Sequence, residues 1–86
     1  MNILDYFQKH TSVISLQFSA PEEVNDYVCN NFIINDKLYL LNGKGRVDYI
    51  IPLDTMVEEN EEGFVMHNKF YPSPITVKTF FGGVNG

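Results

Sequence analysis

The run KLYLLNGKGRVDYII, residues 37–51, constrains the fold more than any other part of the chain. Asn42-Gly43 stands between two stretches rich in aromatic and aliphatic residues. Asn-Gly tolerates the positive φ angles of a type I′ turn, whose twist matches that of paired strands, so the run predicts a β-hairpin. With Asn42 and Gly43 as the turn residues, Leu41 faces Lys44, Tyr39 faces Arg46, Leu38 faces Val47 and Lys37 faces Asp48. That register sets opposite charges across the ladder and lays an arginine over a tyrosine ring, pairings worth about 0.2–1 kcal/mol each. It gathers Leu38, Leu40, Val47, Tyr49 and Ile51 on one face. Gly43-Lys44-Gly45 is not a phosphate cradle, because a phosphate loop is a longer glycine-rich turn that opens a helix, whereas this one opens a strand.

The flanking segments supply candidates to pack against the hairpin. Ile3, Leu4 and Phe7 fall at helical spacing and predict a short opening helix with weak capping. Residues 11–18, TSVISLQF, alternate Val13, Ser15 and Gln17 against Ile14, Leu16 and Phe18, the period of a strand with one buried face. Residues 19–31, SAPEEVNDYVCNN, predict a second helix. Ser19 and Glu22 form a capping box, Pro21 sits in the first turn, and Glu22 and Glu23 lie at the positive end of the dipole. Val24, Tyr27 and Val28 make its apolar stripe, and Asn30-Asn31 stops it.

Beyond Pro52, Thr55 and Glu58 repeat the capping pattern, but only Leu53, Met56 and Val57 are apolar. A helical turn and a short strand are equally open there. GFVMHNKFY and ITVKTFF read as two strands joined by the rigid Pro72-Ser73-Pro74, and residues 82–86 as a flexible tail. The sum is an α+β fold in one domain, residues 1–86, with two short helices packed on a mainly antiparallel sheet of four to six strands. The alternative is a small, partly open β-barrel with helical additions.

Eighty-six residues leave material for one core only, since a chain of this size buries about 60–65% of its unfolded surface. An apolar fraction of 44% with 14% aromatic residues is too high for a disordered chain. Cys29 is the only cysteine, which excludes an intrachain disulfide and a Cys-x-x-Cys zinc pair. The opening residues carry no basic leader before a long apolar run, and no stretch reaches the roughly 18 apolar residues of a membrane span. The expected location is therefore cytoplasmic. Eleven acids against six bases give a net charge of −5, which opposes direct contact with nucleic acid or an anionic membrane and favours a partner with a basic surface.

Catalytic chemistry finds little support. His10 and His67, the two histidines, belong to no metal-binding or nucleophile-activating pattern, and each is expected to be exposed or hydrogen-bonded. Cys29 has no assignable base and reads as a small packed residue. No Gly-x-Ser-x-Gly elbow exists, and paired carboxylates need a deep cleft that so short a chain rarely builds. The chain is expected not to be an enzyme and to hold no cofactor or metal. Phe64, Phe70, Tyr71, Phe80 and Phe81, interleaved with His67, Lys69 and Lys78, resemble a stacking platform for single-stranded nucleic acid. With the wrong net charge, they are expected to fill the core instead.

VEENEEGF, residues 57–64, remains. Asp54, Met56, Val57, Glu58, Glu59, Glu61 and Glu62 are the candidate partner-binding residues: a compact negative patch with an apolar neighbour, suited to pressing against a basic site. Two functions follow as expectations. One is a small acidic binding module, an inhibitor or adaptor that occupies a basic, even nucleic-acid-binding, site on another protein. The other is an assembly subunit that self-associates, as a homo-oligomer, through a strand edge or the aromatic hairpin.

Overall fold

The computed structural model describes residues 1–20 and 25–82. One helix, α1 (Ile3–Lys9), precedes eight strands: β1 (Val13–Ser19), β2 (Tyr27–Cys29), β3 (Asn31–Ile34), β4 (Leu38–Leu41), β5 (Val47–Ile51), β6 (Met56–Glu59), β7 (Gly63–His67) and β8 (Ile75–Phe81). They form two antiparallel sheets, one of five strands in the order β2-β1-β8-β7-β6 and one of three in the order β3-β4-β5. The expected pair of helices on one sheet, with the partly open barrel as its alternative, is thus replaced by a strand-dominated fold of two sheets with a single helix among the described residues.

That helix is strongly capped, where weak capping was expected. The Asn2 side chain accepts from the Asp5 amide at 2.9 Å while the Asp5 carboxylate accepts from the Asn2 amide at 3.1 Å, a full capping box. Its buried face, Ile3, Tyr6 and Phe7, reaches both sheets. The Tyr6 ring lies 4.6 Å from Phe64 of β7, and Phe7 lies 5.6 Å from Phe32 of β3. The core continues through Leu16, Phe64 and Val77 of the larger sheet and Leu38, Leu40 and Ile51 of the smaller. The Tyr6 hydroxyl stays satisfied by a 2.9 Å bond to Thr79 Oγ1. The chain entering α1 covers the start of β6: the Ile3 amide donates to the carbonyl of Thr55, just before the strand, and the Val57 amide to the Met1 carbonyl, both at 2.9 Å.

The second expected helix falls where β2 and β3 form. Pro21, Glu22, Glu23 and Val24 lie outside the described residues. From Tyr27 onward the chain is strand, with Phe18 opposite Tyr27 and Leu16 opposite Cys29. A helical stripe would put Tyr27 and Val28 on the same side, but burial alternates: Val28 is exposed while Cys29 is buried. Aromatic and β-branched side chains here gain more by packing across a ladder on β1 than by completing a helix turn. The segment after Pro52, left open between helix and strand, becomes β6 from Met56 onward, and Val57 points inward opposite Met66.

The 37–51 hairpin forms in a different register. Leu38 faces Ile51, Tyr39 faces Ile50, Leu40 faces Tyr49 and Leu41 faces Val47, with a shift between Leu40 and Leu41. The loop runs Asn42 to Arg46. The Asn42 side-chain oxygen accepts from the amides of Lys44 (2.8 Å) and Arg46 (3.1 Å), and the residue with positive φ is Gly45, at 79°, not Gly43. A turn followed by a left-handed glycine and a bulge uses the second glycine and the Asn42 side chain together, which a two-residue turn cannot. The expected Lys37–Asp48 and Tyr39–Arg46 pairings are therefore absent. Lys37 meets Asp36 at 3.3 Å, and Asp48 accepts from the Tyr27 hydroxyl at 2.9 Å. The extra residue, Asp48, turns Val47 away from Leu38, Leu40 and Ile51 to the opposite face.

At the end of β7, Gly63 is buried against β8, where an added Cβ would fall on the Val77 carbonyl and 2.9 Å from the Thr79 amide. Gly63→Ala is expected to cost about 1–3 kcal/mol in chemical denaturation because backbone atoms must move to admit the methyl group. Gly43, with nothing within 4 Å, should accept alanine with no more than a small change.

Candidate interaction surfaces

The seven acidic-stretch candidates do not share one surface. Strand alternation sends Val57 into the core, leaving Met56 exposed on the other face of β6. Glu58 lies opposite Val65 and its carboxylate meets His67 Nε2 at 3.2 Å. Glu59 points to the helix side, where it accepts from Lys9 Nζ at 2.8 Å and contacts His10 Nε2 at 2.9 Å. Glu62, beyond the turn, meets Lys78 Nζ at 3.1 Å. The turn itself is held by Asn60, whose side-chain oxygen accepts from the amides of Glu62 and Gly63, each at 2.9 Å. Among the described residues, Asp54 and Glu61 are the members of the stretch with no cation at ion-pair distance.

Charge on this hairpin is thus largely answered from within the chain. The Lys9 ammonium, and after it the His10 ring, hold the Glu59 carboxyl below its ordinary value of 4.5. Glu59 thereby ties β6 to the last turn of α1, a structural duty that composition alone could not reveal. His10 also packs on Tyr6, with ring centroids 4.6 Å apart, so both histidines are hydrogen-bonded or ion-paired side chains. Among the described residues no cluster of three or more potential metal ligands occurs, and no helix is long and apolar enough to cross a membrane. The five rings expected to fill the core divide. Phe64 is fully buried and Tyr71 partly so, whereas Phe70, Phe80 and Phe81 are exposed, with Lys69 Nζ 5.4 Å from the Phe70 ring centroid.

A second surface comes from the three-stranded sheet. Ile33 lies opposite Tyr39, which lies opposite Ile50, making one apolar row across β3, β4 and β5 on the face turned away from Leu38 and Leu40. Ile33 and Ile50 are each 52% exposed. Leu41 and Val47, brought to this side by the bulge, form a second row with Val47 also exposed. The three strands read NFII, LYLL and VDYII. An antiparallel sheet with one wet face normally alternates apolar with polar residues, and near-continuous apolar runs mark a sheet covered on both faces. That signal was legible in the sequence but was spent on locating the hairpin.

At one end of β4, Asp36 accepts from the Tyr39 hydroxyl at 2.6 Å and from Lys37, which hold its carboxyl below the ordinary range. Lys44 and Arg46 stand in the loop at the other end.

Comparison with protein-family models, with curated proteins and with solved structures finds no match.

Glu59 has a testable signature. A carboxyl whose folded value is lowered contributes stability that is present above its unfolded value and lost as pH falls through the folded one. Glu59→Gln is expected to lower the melting temperature near neutral pH, with the gap to the parent protein closing below about pH 4.5. A gap independent of pH would mean that the pairing with Lys9 carries none of it.

Proposed function

We propose that this protein is a non-enzymatic contact module that self-associates through the outer face of its three-stranded sheet. The observation that supports this reading best is the exposed Ile33–Tyr39–Ile50 row, on a sheet whose strands are apolar on both sides. Leaving such rows in water forgoes roughly 25 cal/mol for every Å² of apolar area that a partner would cover. A second copy suits the row because it is nearly symmetric about Tyr39. A two-fold axis along β4 brings each Ile33 onto the other copy's Ile50, as an isologous contact requires. Sheets packed face to face in this way interdigitate aliphatic side chains about 10 Å apart.

The acidic reading stands second, supported by the exposure of Asp54, Met56 and Glu61. Glu58, Glu59 and Glu62 are already engaged with His67, Lys9, His10 and Lys78, so a basic partner would have to displace those side chains. The net charge of −5 still favours approach by a basic protein over a Debye length of about 8–10 Å.

Sedimentation equilibrium across a concentration series separates the two. The parent chain should dimerise, and Ile33→Lys with Val47→Lys, both at exposed positions, should raise the dissociation constant about tenfold or more while the melting transition stays cooperative. A strict monomer at every concentration defeats the self-association reading. Capture of a basic protein that is lost in high salt, and lost when Glu58, Glu59, Glu61 and Glu62 become glutamine, would establish the other.

A further inference from the structure

Between the two sheets lies a concave space that meets the outer-face row only at Ile50. Its volume is about 440 Å³, within the roughly 300–1,000 Å³ typical of small-molecule sites. Four rings line it: Phe18 and Tyr27 from the larger sheet, Tyr49 from β5 and Tyr71 from the connection between β7 and β8. Leu40 and Met66, both buried, contribute the apolar interior, with Ile75 beside them. The rings are held in place. Tyr27 packs edge-on against Tyr49 at 5.0 Å and lies 6.0 Å from Phe18, and its hydroxyl is anchored on Asp48 at 2.9 Å.

Two properties of this lining select an occupant. The described lining residues include no Asp, Glu, Lys, Arg or His, their polar members being Asn25, Ser73 and the tyrosines, so a charged ligand would exchange hydration for a wall with no counter-charge among them. The second property is polar capacity left over. Among the described residues, the hydroxyls of Tyr49 and Tyr71 have no hydrogen-bond partner, whereas the Tyr27 hydroxyl is committed. A few hydroxyls on a mainly apolar and aromatic wall are what fix the orientation of a ring-bearing ligand.

We infer that the inter-sheet space is a binding site for an uncharged, ring-bearing small molecule, held by Phe18, Tyr27, Tyr49 and Tyr71 and oriented by the free tyrosine hydroxyls. Burial keeps the Tyr71 hydroxyl protonated well above neutral pH, so it remains a donor under ordinary conditions. The site shares Ile50 with the outer-face row, whereas Ile33 and Val47 on that face do not line it, so substitutions at those two positions test the contact without touching the site.

Two dyes that share one ring system test it. N-phenyl-1-naphthylamine is neutral, and anilinonaphthalene-8-sulfonate carries an added sulfonate. Titration of the full chain should give saturable fluorescence enhancement with the neutral dye and binding about tenfold or more weaker with the sulfonated one. Ile75→Trp should fill the space and abolish the enhancement. The chain has no tryptophan of its own, so blue-shifted emission at position 75 reports that the ring has entered. Tyr49→Ala, at a position 57% exposed and tolerant of change, should weaken the neutral dye about tenfold, and Ile33→Lys should leave it unaltered. Equal binding of both dyes, undiminished binding in the Ile75 and Tyr49 variants, or loss in Ile33→Lys would each overturn the assignment.

Discussion

The insertion of Tyr6 and Phe7 against both sheets is the contact on which the rest depends. A helix of seven residues has no stability of its own in water, because the cost of its first turn is barely recovered over so short a length. It persists because one ring meets Phe64 and the next meets Phe32, so a single turn of helix joins a five-stranded sheet to a three-stranded one. Burying each such side chain contributes about 1.5–3 kcal/mol. The capping box at Asn2 and the Glu59 ion pair fix the two ends of the helix, and the strand-like bonds of Met1 and Ile3 fix its approach. The helix is thus a rivet between sheets, which the expected layer of two helices would not have been.

From that arrangement comes the imbalance between the two sheets. Both inner faces bury aliphatic and aromatic side chains, yet the outer faces differ. The larger sheet exposes Lys78, Thr76 and Glu58 beside Val28 and Met56, a surface mixed enough to stand in water. The smaller exposes Ile33, Ile50 and Val47. Its three strands are too few to curl over and hide that face, and the helix is already committed to the inside. An apolar outer face that folding does not use is free for intermolecular contact, as larger exposed patches on soluble proteins commonly are.

Much of this was legible in the sequence, and the misses have identifiable physical causes. The opening helix, the strand from residue 13, the hairpin near Asn42 and the last two strands all stand where periodicity placed them, because each has a local pattern that tertiary packing reinforces. The second helix failed because Ser19-x-x-Glu22 and the Tyr27–Val28 pair satisfy helical rules locally, while Leu16 and Phe18 offered Cys29 and Tyr27 a better partner across a ladder. Such long-range competition is invisible to a window of a dozen residues. The hairpin register failed for a smaller reason: two glycines stand two positions apart, and the Asn42 side chain selects the turn that places the second one at positive φ.

The acidic stretch teaches the complementary lesson about sites. Four glutamates in five positions suggest a single charged surface only if the chain is read as a line. On a strand, adjacent side chains leave opposite faces, so Glu58 and Glu59 cannot serve one contact, and Val57 between Met56 and Glu58 must go inward. Each of the paired glutamates then meets a side chain from a different element: α1 for Glu59, β7 for Glu58, β8 for Glu62. Exposed pairs of this kind stabilise little individually, but they lower the free charge that could draw in a basic partner. The row on β3, β4 and β5 has no such internal competitor, since apolar side chains in water have nothing to be paired with until another surface arrives. Unmet demand of this kind, more than local density of charge, is what ranks the outer face of the small sheet above the acidic hairpin as the proposed contact surface.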